Sequence, residues 1–390
     1  MVRRIFLYSP HKLRRIAVWI WREENWPNLT WDAAQLLDPM VEAARCQGLL
    51  LGRVERLGFD LRCEAELKTS VEDVIQTSAI EGEKVDHDSV RSSLARRLGL
   101  PDGGLPPADR KVEGLVEITL DATRNYSAPL TQERLFGWHA ALFPTGYSGL
   151  RPITLASWRT DAHGPMQVVS GPLGRERIHY EAPPAILVPT EMERFLDWFN
   201  GDDGPDSVMK SGLAHLWFVT IHPFDDGNGR IARTIADLAL AKAERTGQRF
   251  YSMSSQIMRE RDVYYQMLEK TQRGDIDVTR WLSWFVGCYT RAIQRAETMI
   301  ADVLIKAEFW QSFAHEPLSE RQKKVLNRFL DGFEGSLTAK KWAALAKCSI
   351  DTAQRDINDL LERKLLVKGP GGSKNTCYWP AGYEDRPSGE

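Results

Sequence analysis

Residues 222–233 concentrate side chains that could bind a phosphorylated compound and act on it. A Gly-Asn-Gly run at 227–229 is followed by two arginines, Arg230 and Arg233. Glycines let the backbone point successive N–H groups at one anion, and the apolar run from Ile231 predicts a helix whose positive end faces the same place. The two arginines are three residues apart, so both guanidinium groups would lie on one helix face, where they could grip two phosphates.

The same segment offers a metal ligand and a base. Asp226 is a single carboxylate beside the predicted phosphate cradle, and Mg²⁺ prefers one or two carboxylates plus phosphate oxygens to an all-protein cage. His222, just before the loop, is the only candidate base in the segment. Any one of these residues could instead belong to an ordinary helix cap with surface charges, but together they predict a nucleotide site.

The segment fits the pattern H-x-F-x-[D/E]-G-N-G-R-x-x-R at every position, and the chain therefore resembles the Fic family of nucleotide transferases. In that family, the histidine deprotonates a Ser, Thr or Tyr hydroxyl of a target protein, which attacks the α-phosphate of ATP; AMP is transferred and pyrophosphate leaves. The resemblance implies ATP as substrate, Mg²⁺ as the metal ion and a protein target. It implies these roles: His222 as base, Phe224 as buried anchor, Asp226 as Mg²⁺ ligand, Asn228 with the amides of Gly227 and Gly229 at the α- and β-phosphates, Arg230 at the β-phosphate, and Arg233 at the γ-phosphate.

A Fic protein is expected to be mainly α, a helical bundle with a β-hairpin flap. Residues 211–221 are apolar on nearly every face, which predicts a helix buried at the bundle centre. Alternation at 166–170 and 178–181, around a Gly/Pro turn, predicts a hairpin. In Fic proteins such a flap pairs with the target segment as an added strand; the alternative is an inert surface hairpin. Tyr264 and Tyr265, on a later predicted helix, could stack on adenine or pack in the core.

A second motif lies upstream. The segment 77–82, Thr-Ser-Ala-Ile-Glu-Gly, fits the pattern [S/T]-x-x-x-E-[G/N] that marks an inhibitory helix in Fic proteins. The sequence predicts a helix over about 70–82, with Asp73 as a reciprocal cap and the glycine at its end. The resemblance implies that Glu81 pairs with Arg233 fork to fork and removes the arginine needed by the γ-phosphate. The alternative is an exposed glutamate before a helix-stopping glycine.

The chain divides into four parts by pattern. Apolar spacing predicts a long helix over 31–57 with a cap at Thr30, and a Pro/Gly-rich loop at 100–107 separates the N-terminal helices from the core. The tryptophan-rich opening resembles a small N-terminal domain of one branch of Fic proteins. The predicted parts are an N-terminal helical region at 1–107, a Fic core at 108–311, a winged helix-like domain at 312–380, and a tail at 381–390.

The C-terminal part resembles a winged helix-turn-helix. Helices predicted at 320–330, 339–346 and 349–364 are followed by two short strands around a Gly-rich turn. DNA binding needs basic groups that face phosphate, and acidic residues dilute the basic ones here. DNA binding by 349–364 and a protein-interaction or dimerisation role therefore both stay open. The third helix would present Thr352, Gln354, Arg355 and Asn358.

The composition limits the compartments and partners that we expect for this protein. The chain has 390 residues, 43% hydrophobic and 27% charged, and its net charge of −2 implies no overall attraction to nucleic acid or membrane. Its five cysteines lack C-x-x-C spacing, which favours reduced thiols in a cytoplasmic protein. The basic N-terminus has only a short apolar run and no small-residue cleavage site, so we expect no signal peptide. No stretch reaches the ~18 apolar residues of a spanning helix.

Two function classes remain open. The first is a protein adenylyltransferase, acting on an unidentified target and on itself; the second is a DNA-binding regulator with a nucleotide-sensing core. The complete set of His222, Asp226, Arg230 and Arg233 favours the enzyme, because a sensor needs no base. Removal of AMP is a third possibility among related proteins. A homodimer is also compatible with the sequence.

The DNA-binding hypothesis predicts an effect of Arg355→Ala. If 349–364 contacts DNA, this variant should bind duplex DNA more weakly and lower the salt slope of log K by about 1, because one phosphate contact is lost. Filter binding or fluorescence anisotropy at several salt concentrations measures both quantities. Absence of binding to any duplex at low salt would assign the module to protein contacts.

Overall fold

The computed structural model describes residues 19–100, 108–162, 164–171, 175, 177–201, 207–330, 337–369 and 376–382. These residues are mainly helical, as predicted. The helices are α1 (Ala33–Glu55), α2 (Phe59–Ile80), α3 (His87–Arg97), α4 (Arg110–Arg124), α5 (Gln132–Leu142), α6 (Val188–Asn200), α7 (Ser207–Ile221), α8 (Asn228–Glu244), α9 (Met253–Arg259), α10 (Arg261–Gln272), α11 (Thr279–Ser312), α12 (Glu320–Leu330), α13 (Ala339–Ala346) and α14 (Ile350–Glu362).

The strands form short antiparallel pairs. They are β1 (Tyr147–Ser148) with β2 (Arg151–Pro152), β3 (Gln167–Ser170) with β4 (Arg177–Glu181), and β5 (Leu366–Lys368) with β6 (Tyr378–Pro380). Internal contacts group the described residues into two compact units, those within 19–53 and 66–296 and those within 54–65 and 297–382. The four-part division predicted from sequence stays a prediction. Among the described residues, no helix is long and apolar enough to cross a membrane.

The first two helices differ from the sequence prediction at their starts. Thr30 does not cap α1, because its backbone pairs with residues 276–278; the Asp32 carboxylate caps the helix instead, accepting from the amide of Ala34 at 2.9 Å. Helix α2 begins at Phe59, well before residue 70. Asp73 therefore lies inside the helix and is not a reciprocal cap; its buried carboxylate accepts hydrogen bonds from residues 252 and 254.

Two antiparallel neighbours, α7 and α8, form the centre of the first unit and carry the motif between them. Helix α7 is buried on nearly every face, as its apolar sequence predicts. Helix α8 begins at Asn228, three residues before the predicted start at Ile231, because Gly227 turns the chain directly into the helix. The link between the two helices is therefore short, and its geometry is set by buried helices at both ends.

The predicted hairpin is present as β3 and β4. Val168 pairs with Tyr180 and Val169 with Ile178, and a register shift lies between the two pairs. The tip, 172–174, and most of the predicted 100–107 loop lie outside the described residues. A carboxylate of α10 holds the hairpin, because Glu269 contacts the His179 ring at 2.7 Å.

The second unit contains α12, α13 and α14, followed by the β5–β6 pair, which is the predicted order of elements. Its core surrounds the fully buried Trp342. Asp356 is 7% exposed and accepts two hydrogen bonds from Arg321 at 2.7 Å, so this carboxylate faces the core and not a solvent-facing recognition surface. Arg355 is exposed. The winged-helix assignment and DNA binding stay predictions.

Candidate active site

The loop begins with a histidine held in an unusual backbone conformation. His222 follows the last residue of α7 and has φ +52°, in the left-handed region that non-glycine residues rarely adopt. The buried Arg159 side chain donates to the carbonyl of His222 at 2.7 Å and to that of Pro183 at 2.6 Å. The backbone amide of Arg159 also donates to the carbonyl of Pro223 at 2.9 Å. Arg159 therefore ties the start of the loop to the end of the flap.

The environment of the His222 ring favours its neutral form. The ring is only partly exposed, and desolvation lowers the pKa of His222 to about 4. Its Nδ1 lies 3.2 Å from the carbonyl oxygen of Val219, an acceptor, which assigns the proton of the neutral ring to Nδ1. The other nitrogen, Nε2, is then left as a proton acceptor.

Phe224 and Asn228 close the loop. Phe224 is fully buried and stacks on the ring of His139, with 4.3 Å between ring centroids and a 7° interplanar angle. The Asn228 amide donates to the carbonyl of Phe224 at 2.8 Å and accepts from its amide at 3.0 Å. The buried position of Phe224 suits the anchor predicted from sequence. Asn228 closes the loop through its side chain, and its contact with phosphate stays a prediction.

The glycines shape the start of α8. Gly227 has φ +83°, and a Cβ there would lie 2.9 Å from the ring of Phe143, so conformation and space both require glycine. Gly229 lies in the first turn of α8, where a side chain would collide with the Glu81 carboxylate. Backbone N–H groups at this end of a helix have no partner within the helix and can bind an anion.

Asp226 accepts hydrogen bonds at both carboxylate oxygens, from the amide of Gly227 at 2.6 Å and from the hydroxyl of Ser148. The described residues contain no cluster of three His, Cys, Asp or Glu side chains that could hold a metal. A single carboxylate beside a helix N-terminus has the chemistry of a ligand for a cation shared with substrate phosphates, and Mg²⁺ binding by Asp226 stays a prediction.

Each motif arginine is buried and bound to a glutamate. Arg233 donates from Nη2 to Glu81 at 2.8 Å, and Arg230 donates from Nη1 to Glu83 at 2.9 Å; both arginine side chains are 2% exposed. The Glu81 contact is not the fork-to-fork bridge expected from sequence, because Nε and Nη2 of Arg233 also donate to the hydroxyl and carbonyl of Thr77. Only one Glu81 oxygen accepts from Arg233.

The turn after α2 sets the position of both glutamates. Gly82 has φ +80°. Its amide donates to the carbonyl of Ala79 at 2.9 Å, and the amide of Glu83 donates to the carbonyl of Ser78 at 3.0 Å. This pair of bonds is the Schellman motif, in which glycine occupies the left-handed position just beyond the helix. Glu81 and Glu83 flank that glycine, so one turn presents two carboxylates to α8.

Two cavities meet at the loop. One, of about 890 Å³, is lined by His222, Asp226 and the flap strands. The other, of about 580 Å³, is lined by His222, the flap and α10. Tyr264 and Tyr265 both line the second cavity. Tyr265 is partly exposed, whereas Tyr264 is 2% exposed and bonds through its hydroxyl to the buried His215 at 2.9 Å. The structure leaves more ring surface accessible on Tyr265; stacking on adenine stays a prediction.

Sequence reasoning missed four residues at the site. Arg159, His139 and Ser148 lie far from the motif in sequence, and no spacing rule connects them with it. Burial lowers the pKa of His139 to about 4, which suits its role as a neutral ring packed on Phe224. Glu83 could have been predicted from sequence, because it is an acidic residue directly after Gly82, the last residue of the inhibitory pattern.

Known proteins and protein families match parts of this chain. The model described as Fic/DOC family matches residues 129–240, and a model described as a domain of unknown function (DUF4172) matches residues 19–100. Residues 129–240 therefore form a Fic/DOC family segment of this chain. Over 104 residues it is 31% identical to a probable protein adenylyltransferase of Aquifex aeolicus, covering 27% of this chain and 30% of that protein. Over 87 residues it is 36% identical to protein adenylyltransferase Fic of Drosophila willistoni, covering 22% of this chain and 16% of that protein. The match thus spans less than a third of either relative.

Solved structures of Fic proteins are also similar to this chain. A Fic family protein from Desulfovibrio desulfuricans G20 has a TM-score of 0.49 and 19% identity, covering 90% of this chain and 97% of that one. Fic-1 from C. elegans has a TM-score of 0.48 and 19% identity, covering 68% of this chain and 74% of that one.

The low pKa of His222 is directly testable. Because desolvation favours the uncharged ring, His222 should stay neutral as the pH falls through the ordinary value of 6.5 and become protonated only near pH 4. NMR titration of histidine-labelled protein measures this, with His222→Ala identifying the signal. A midpoint near the ordinary value would contradict the desolvated environment.

Proposed function

We propose that this chain is a protein adenylyltransferase that transfers AMP from ATP to a hydroxyl of a protein target. One observation carries the proposal: a single cavity is lined by the base His222, the carboxylate Asp226 and the N-terminal end of α8, and the β3–β4 flap forms another wall. The adenylyltransferase names of the relatives over the Fic segment support the same activity. The protein target is unidentified, and the chain itself is a candidate.

The chemistry follows from the proton position on His222. With the proton of the neutral ring on Nδ1, Nε2 can accept the proton of a target hydroxyl. The hydroxyl oxygen then forms a bond to the α-phosphorus of ATP, the bond between the α-phosphorus and the bridging oxygen breaks, and pyrophosphate leaves with that electron pair. The protein needs mainly to align the two reactants and neutralise charge.

The nucleotide is proposed to lie along the N-terminal end of α8. Free N–H groups and the helix dipole favour phosphate there. Arg230 would bind the β-phosphate and Arg233 the γ-phosphate. Nε of Arg230 and Nη1 of Arg233 are buried and have no hydrogen-bond partner within the described parts of the chain, so each arginine retains an unused donor.

Asp226 is the residue proposed to hold Mg²⁺ together with the phosphates. When bound, the metal ion supplies neutralisation of phosphate charge. Ser148 donates to Asp226 and orients its carboxylate.

The flap is proposed to hold the target segment. Val168, Val169 and Ile178 are 37%, 47% and 40% exposed, so the flap presents apolar side chains to solvent. An extended peptide added as a strand at the edge of the flap would be held by backbone hydrogen bonds, which make little demand on its sequence. The same peptide would contact these apolar side chains. The hydroxyl to be modified would then face His222 across the cavity.

Glu81 is proposed to inhibit the enzyme. Its 2.8 Å contact with Arg233 places an anion where the γ-phosphate is expected, so ATP must displace the carboxylate or bind misaligned. The carboxylate is 30% exposed and lies at the end of a helix, so it can leave without unfolding the core.

Labelled ATP separates the proposed reaction from phosphorylation. With Mg²⁺, α-labelled ATP should label protein and pyrophosphate should accumulate. Chelation of Mg²⁺ or Asp226→Ala should stop both, and His222→Ala should slow transfer by about 10²–10⁴-fold while retaining ATP binding. Autoradiography and a pyrophosphate assay measure the products. Label arriving only from γ-labelled ATP would reassign the protein as a kinase.

Removal of the inhibitory carboxylate should activate transfer. Glu81→Gly is expected to raise the initial rate of AMP transfer by about tenfold or more if the lost contact is worth ~1.4 kcal/mol. Arg233→Ala is the matched control, because it breaks the same ion pair but also removes the γ-phosphate ligand and should not activate. Equal rates of self-modification for wild type and Glu81→Gly would refute inhibition by Glu81.

A further inference from the structure

A second carboxylate occupies the other motif arginine. Glu83 accepts from Nη1 of Arg230 at 2.9 Å, and the same oxygen lies 3.0 Å from Nζ of Lys111. The Arg230 side chain is 2% exposed, and that of Glu83 is 28% exposed. This contact lies beyond the Glu81 pattern in sequence and engages a different guanidinium group.

The arginine in this pair is buried and packed on a ring, whereas the glutamate is partly exposed. The guanidinium carbon of Arg230 lies 5.0 Å from the centroid of the Phe143 ring, a cation–π contact that holds the group against the ring. Glu83 instead belongs to the turn after α2, and its side chain is 28% exposed. For a phosphate to replace the carboxylate at Arg230, Glu83 must therefore move.

We infer that Glu83 is a second inhibitory residue, which blocks Arg230 while Glu81 blocks Arg233. The inference rests on the proposed nucleotide site. Its geometric basis is the turn at Gly82, which places the two carboxylates on either side of one glycine and brings each to a different arginine of α8. One segment thus supplies two anions to a site built for two phosphates.

The two contacts should oppose nucleotide binding in the same way. A carboxylate and a phosphate oxygen accept from the same guanidinium N–H groups, so they compete for them. A carboxylate left beside a bound triphosphate would also repel it. Loss of Glu81 alone frees Arg233 but leaves Arg230 bound to Glu83, so only one of the two arginines would be available to a phosphate.

The test compares ATP affinity and AMP transfer in four proteins: wild type, Glu81→Gly, Glu83→Gln and the double variant. Glutamine has the shape of glutamate and leaves Gly82 and the turn unchanged, so Glu83→Gln removes mainly the charge. We expect Glu83→Gln to tighten ATP binding by about fivefold, and the double variant to bind ATP at least about fivefold more tightly than Glu81→Gly. Calorimetry with ATP and Mg²⁺ measures affinity independently of transfer.

Two control variants separate charge competition from general loosening. Glu113→Gln removes the charge of a comparably exposed glutamate on α4, which pairs with Arg96 and Arg97 of α3. This variant should leave ATP affinity unchanged. Lys111→Met breaks the other ion pair of Glu83 but keeps its contact with Arg230, so it should not tighten ATP binding. Equal tightening by Lys111→Met and Glu83→Gln would overturn the inference.

The outcomes distinguish this inference from the proposed function. Unchanged ATP affinity in Glu83→Gln, together with equal affinities for Glu81→Gly and the double variant, would overturn the role of Glu83 and leave AMP transfer standing. Tighter ATP binding with no α-label on protein from any variant would support the block at Arg230 and reject the proposed transferase activity. Circular dichroism melting confirms that each variant is folded.

Discussion

A buried guanidinium group needs an anion, and this requirement organises the site. Arg230 and Arg233 lie in the first turns of α8 with side chains 2% exposed. Desolvation of a charge is costly unless a partner of opposite charge and hydrogen bonds compensate. Here Glu81 and Glu83 supply the negative charge. The same requirement, met by phosphates instead, is the basis of the proposed nucleotide site, so the proposed inhibition and the proposed substrate binding use the same two cations.

The rest of the first unit keeps these cations and the base in place. Phe224 anchors the loop in the core, Asn228 closes it, and Arg159 binds the carbonyl of His222 in its left-handed conformation. They keep His222 close to the N-terminal end of α8, so that the proposed proton acceptor and the proposed phosphate site share one cavity.

Parts of the architecture could be predicted because their signals are local. A run that is apolar on all faces predicts a buried helix, as α7 shows, and alternation around a Gly/Pro turn predicts a hairpin, as β3 and β4 show. The starts of α1 and α2 were predicted wrongly, because Thr30 and Asp73 have capping chemistry but are engaged by residues almost two hundred or more positions away. Long-range partners override a local capping preference.

The sequence by itself determined the inventory of the site: a histidine, a carboxylate, glycines and two arginines at spacings that only a short turn into a helix brings together. It also marked Glu81, because the glycine after it is a local helix-end signal. Only the tertiary structure decided that Arg159 holds the histidine, that Asn228 is engaged by Phe224, and that Glu83 faces Arg230. The physical reason is range: turn and helix preferences act over a few neighbouring residues, whereas a buried charge takes its partner from whichever segment packs against it.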